Sequence, residues 1–84
     1  QAETLAGQLK SDFFAAIVAL ETGDFYFFKG EQEKALGYYQ TALEFFQSKA
    51  DRMFVARASL RLGQIHENRG RMPLARRFYA SALE

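Results

Sequence analysis

"GDFYFFKGEQEKALGYYQTALE" (residues 23–44) is followed, forty residues later, by "GQIHENRGRMPLARRFYASALE" (residues 63–84). Gly23/Gly63, Gly30/Gly70, Ala35/Ala75, Tyr39/Tyr79, Ala42/Ala82, Leu43/Leu83 and Glu44/Glu84 coincide under this shift. Taken alone, the run of aromatics from Phe25 to Phe28 has the propensity of a strand. The second copy argues otherwise, because "GQIHENRG" keeps the glycine frame and none of the aromatics. The register also extends upstream, pairing Ser11 with Asp51, Phe14 with Phe54, Ala16 with Ala56 and Leu20 with Leu60. A period of this size indicates stacked helical units.

Each unit reads as two helices. Ser11 and Asp51 are good N-caps, with side-chain oxygens for the unpaired N–H groups of a first turn. Helix A then runs to Lys29 or Arg69. Phe54, Ala58, Leu62 and Ile65 fall on one helical face of the second unit. Gly30 and Gly70 suit the left-handed residue that closes a helix. Helix B follows at once, and Ala35, Tyr39, Ala42 and Phe46 again share one face. Pro73 falls in the opening turn of the last helix, where a missing N–H costs little. The expected fold is all-α, built from antiparallel hairpins: 11–50 and 51–84 as two repeats, the second truncated at Glu84, and 1–10 as the tail of a preceding helix. Gly23 and Gly63 sit inside helix A, at a cost of roughly 1 kcal/mol each against alanine. That cost predicts a close approach of a neighbouring backbone, with Ala35 and Ala75 as the matching small surface and Tyr39 and Tyr79 beside it.

Composition narrows the function. With 84 residues, 49% hydrophobic and 25% charged, the chain reads as one soluble globular domain. It carries no cysteine, which excludes disulfides and thiol chemistry. A first residue other than Met suggests a piece of a longer or processed protein; the compartment stays open, with the cytoplasm favoured. The net charge of +1 does not suggest nucleic acid, and no apolar run suggests a membrane span. The charge is unevenly spread. Residues 1–42 hold three cations and six acids, net −3, and residues 43–84 hold eight cations and four acids, net +4. Such a dipole suits head-to-tail stacking or an acidic partner.

At the small residues Gly23, Ala35 and Ala42, the large residues Tyr26 and Tyr39, and their counterparts Gly63, Ala75, Ala82, His66 and Tyr79, the chain resembles the tetratricopeptide repeat. Gly30 and Gly70 match that family's turn glycine. The forty-residue period exceeds the usual 34 or so, and is similar to the long-helix variety found in signalling scaffolds. Gln32, where an aromatic is usual, and Gly37, within helix B, depart from the pattern. The resemblance implies an α-solenoid whose A helices line a concave groove that binds peptides or helices of partner proteins. It places Ile17, Leu20, Glu21, Asp24, Phe27 and Phe28 in the groove from the first unit. From the second it places Arg57, Leu60, Arg61, Gln64, Glu67 and Asn68. Arg57, Arg61, Gln64 and Asn68 form one polar stripe on helical spacing alone. The groove then reads as apolar and acidic at one end, basic and polar at the other. Arg57 and Arg61 are placed to grip a partner's carboxylate with forked hydrogen bonds.

His66 occupies the place of a packing aromatic, so it is expected to be structural. A lone histidine lacks the companions of a metal site. Arg76 and Arg77 read as surface charge. There is no catalytic triad and no phosphate loop, and no cofactor is expected. A non-catalytic interaction module for a protein or peptide partner, with no nucleic acid or membrane target, is the leading expectation. The alternatives are a solenoid segment that stacks or self-associates as a homo-oligomer, and a regulatory arm of a larger protein.

Overall fold

The structure is a computed structural model that describes residues 5–83, with side chains described for residues 11–82. Four helices follow one another: α1 (Leu5–Lys29), α2 (Gln32–Ser48), α3 (Arg52–Asn68) and α4 (Met72–Leu83). Each packs on the next, α1 on α2, α2 on α3 and α3 on α4. The neighbours are antiparallel, as Phe13 meeting Phe46 and Tyr26 meeting Tyr38 show for α1 and α2. The resulting slab measures 49 × 28 × 13 Å. No helix among the described residues is long and apolar enough to cross a membrane.

The helix ends follow from local chemistry. Asp51 caps α3, its Oδ1 accepting from the Phe54 N–H at 3.3 Å. Pro73 is the second residue of α4, where its ring already has helical φ. Gly30 and Gly70 adopt φ of 96° and 77°. At both turns the chain doubles back by the same pair of bonds: Gly30 N–H to Phe27 and Glu31 N–H to Tyr26, then Gly70 N–H to Glu67 and Arg71 N–H to His66. A third instance, not anticipated from the sequence, ends α2. There Ala50 takes φ 54°, and Ala50 and Asp51 donate to Gln47 and Phe46.

Ser11 is not a cap. Helix α1 passes through it without interruption from Leu5 to Lys29. Residues 5–10 therefore extend the first A helix; residues 1–4 and Glu84 lie outside the described residues.

The core is continuous from α1 to α3, with the half-buried Phe78 of α4 packed against it. Ala16 and Leu20 of α1, Ala35, Tyr39, Ala42, Leu43 and Phe46 of α2, and Ala58, Leu62 and Ile65 of α3 form one buried cluster. Phe13 stands edge-on to Phe45, Phe46 and Phe54 at 6.2, 5.5 and 5.8 Å. Phe46 stacks on Phe54 at 4.6 Å, joining the two units. What approaches Gly23 and Gly63 is an aromatic ring, not a backbone. A Cβ on Gly23 would stand 2.8 Å from the Tyr39 ring, and one on Gly63 would stand 2.7 Å from the Tyr79 ring.

Candidate partner-binding face

Helical spacing puts Glu21, Asp24 and Phe28 on adjoining positions of α1, and Arg57, Arg61, Gln64 and Asn68 on one stripe of α3. Side chains bridge the two helices at Asp24. Its carboxylate accepts from Arg57 Nη2 at 3.1 Å, from Arg61 Nε at 3.3 Å and from the Tyr39 hydroxyl. Arg61 also donates from Nη1 to Gln64 Oε1 at 3.0 Å. Its guanidinium covers the rings of Phe28 and Phe27, with centroids at 4.8 and 5.2 Å. Arg57 reaches Glu21 at 3.7 Å as well.

Burial grades this network. The Asp24 side chain is 16% exposed, Arg61 26% and Arg57 43%, so the Asp24–Arg61 contact is the less screened of the two ion pairs. Tyr39 is fully buried. Its burial and its bond to Asp24 both push the phenol well above its ordinary range, so it remains a donor. The second unit uses the same device one turn further along: the Tyr79 hydroxyl donates to Glu67 Oε1 at 2.5 Å. That bond, with some burial, raises the Tyr79 phenol too.

The candidate residues separate into three groups. Phe28, Leu60, Arg57 and Asn68 are exposed, with Phe28 at 69% and Leu60 at 43%. Asp24, Phe27, Arg61 and Gln64 are half-buried and joined to one another. Leu20 is fully buried, which corrects its placement in the groove. It sits on the side of α1 that meets the core. Phe27 similarly packs against Tyr39, at 6.4 Å. A second correction concerns charge. Arg57 and Arg61 are not free cations waiting for a partner's carboxylate, because Asp24 already holds both. Acid and base therefore meet in the middle of the face instead of marking its two ends. Tyr39 is the member of this network that spacing did not identify. The available signal was an acid on helix A beside each glycine-facing tyrosine.

His66 stacks on Phe78 at 5.4 Å, just as Tyr26 stacks on Tyr38 at 5.7 Å in the first unit. It is buried, and its Nδ1 has no hydrogen-bond partner among the described residues. Burial, then the nearby Arg71 and Arg69, lower its pKa from the ordinary 6.5. Arg76 and Arg77 are exposed on α4. Two surface recesses, of about 300 and 440 Å³, lie away from Asp24, one beside Gln47, Arg52 and Ser81 and the other beside Gly30, Glu33 and Arg69.

Comparison with known proteins agrees with the geometry. The family model described as Tetratricopeptide repeat matches residues 14–84. No curated protein and no solved structure gave a match. The family generally mediates protein–protein interaction. With its repeated hairpins, its tyrosine-on-glycine contacts and a family match over most of its length, this chain belongs to the tetratricopeptide repeat family.

Proposed function

We propose that the chain is a non-catalytic protein-interaction module whose α1–α3 face receives an extended or helical segment of a partner protein. The observation that carries this reading is the surface around Asp24, where Phe28, Leu60 and Asn68 stand exposed beside a fixed polar network. Fixed donors and acceptors orient a ligand without further ordering cost. Exposed apolar groups beside them supply contact area. Two arginines opposite Asp24 and Glu21 leave the cluster near neutral. An acidic side chain on the partner shares Arg57 with Asp24. Apolar and hydrogen-bonding contact therefore contributes more to affinity than net charge.

Selection of binding peptides from a displayed library, followed by affinity measurement, tests this. Phe28→Ala together with Leu60→Asp is expected to weaken binding at least tenfold while the melting temperature stays near that of the parent. Undiminished binding in the double variant moves the site to another face.

A further inference from the structure

Helix α2 carries an exposed stripe with a glycine near its middle. Lys34, Gly37, Thr41, Glu44 and Ser48 follow at i, i+3, i+7, i+10 and i+14, and all are exposed. They lie on the side of α2 opposite the buried Ala35, Tyr39, Ala42 and Phe46. Glycine in a helix interior costs stability, and a Cβ on Gly37 would meet nothing within 4 Å, so no contact within the chain explains it. Over it lies a recess of about 320 Å³, bordered by Lys34, Tyr38 and Thr41. The Thr41 hydroxyl already donates to the Gly37 carbonyl at 3.1 Å, so covering it leaves no unpaired donor. Glu44 makes no ion pair among the described residues. Neighbouring units leave this stripe open. It is exposed on α2, which has a unit after it, and its counterparts on α4, which has a unit before it, are accessible too: Leu74 and Arg77 are exposed and Ser81 is half-buried.

We propose that α2 of a second copy crosses here, antiparallel, about a two-fold axis. The stripe is complementary to itself in that arrangement. A crossing centred between Gly37 and Thr41 sets Gly37 of each copy against Thr41 of the other, and Lys34 of each against Glu44 of the other. A parallel crossing would set Lys34 on Lys34 and Glu44 on Glu44. The glycine lets the two backbones approach closely, the recess receives the threonine, and Tyr38, 40% exposed at the rim, adds apolar contact. Lys34 reaches Glu31 at 3.1 Å within its own chain, and its three N–H donors serve both carboxylates. On α4, Arg77 stands in the place of the glycine, so the second unit offers no copy of this contact. The same surface is used on both sides, and the assembly therefore closes at two. Tyr39, on the far side of α2, is the residue that reaches Asp24, so both α1–α3 faces stay open in the dimer.

Sedimentation of the whole chain from low to high micromolar concentration tests the proposal. The mean mass is expected to rise toward that of a dimer and no further, and to fall back as salt screens the ion pairs. Gly37→Gln puts a better helix former where the single molecule has open space. It is expected to weaken association at least tenfold without lowering the thermal midpoint of the dilute chain. Lys34→Glu alone and Glu44→Lys alone each set like charges opposite one another, and each is expected to stay monomeric with helicity unchanged by circular dichroism. Mixed in equal amounts, the two variants place opposite charges at both contacts, so a heterodimer is expected to form. A parent chain that stays monomeric leaves the stripe to a different protein. That result, growth past a dimer, undiminished association of Gly37→Gln, or a mixture that stays monomeric overturns the proposal.

Discussion

The ring of Tyr39 rests on the Cα of Gly23, so close that a methyl group on the glycine would meet ring carbons at 2.8 Å. This contact explains a glycine in the middle of a 25-residue helix. It also aims the Tyr39 hydroxyl at Asp24, and so organises the face between α1 and α3. Gly63 and Tyr79 repeat it, with one difference: Tyr39 is fully buried, while Tyr79 is only half-buried.

Gly23→Ala therefore loses stability although alanine is the better helix former. The overpacked ring cannot move, and a loss of about 1–3 kcal/mol is expected. Gly63→Ala is expected to cost less, because the Tyr79 ring is free to shift toward solvent. Urea unfolding of the two variants, side by side, measures the difference.

Gly37 and Ala50 predict gains. Gly37 lies exposed within α2, and an added Cβ there meets nothing within 4 Å; Gly37→Ala should stabilise by up to about 1 kcal/mol. Ala50 holds a left-handed backbone at φ 54°, which disfavours an L-residue by roughly 1–2 kcal/mol. Ala50→Gly removes that steric cost and is expected to raise the thermal midpoint. A lowered midpoint would show that Ala50 is held there without strain.

Asp24 links α1, α2 and α3 through charged hydrogen bonds. Asp24→Ala leaves the buried Tyr39 hydroxyl without its acceptor and two arginines without a counter-charge. A loss of about 1–3 kcal/mol is expected, in line with a bond to a charged group. Asp24→Asn keeps an acceptor and should lose less. Equal losses would show that the charge, not the acceptor, matters.

His66 makes stability pH-dependent. Its folded pKa lies below the ordinary 6.5 because burial, then Arg71 and Arg69, disfavour the cation. The folded chain thus binds the proton more weakly than the unfolded one. Its contribution is complete above the unfolded value and diminishes as pH falls below about 6.5. The parent is expected to lose more stability between pH 7.5 and 5.5 than His66→Phe, which keeps the stack on Phe78. Parallel pH profiles for the two chains would contradict this.

Much of the scaffold was legible in the sequence because the repeat fixes it. Paired glycines, alanines and tyrosines at one spacing determined the two helical hairpins, the turns at Gly30 and Gly70 and the packing role of His66, and capping chemistry identified Asp51. Ser11 misled because a capping residue is also tolerated mid-helix when the flanking sequence stays helical. Ala50 was hidden because nothing in alanine signals a left-handed backbone. On the face, the family resemblance singled out Phe28, Leu60 and Asn68, which are exposed, and also Leu20, which packing turns into the core. The pairing of Asp24 with Arg57 and Arg61 spans two helices about 35 residues apart in sequence, beyond what helical periodicity can report.

Amide chemical-shift mapping of the chain with a selected peptide tests most directly whether the α1–α3 face is the partner surface. The largest shifts are expected at Glu21, Phe28, Arg57, Leu60 and Asn68, with Asp24 and Arg61 following through their shared network. Shifts confined to the outer sides of α2 and α4, with α1 and α3 undisturbed, would contradict it.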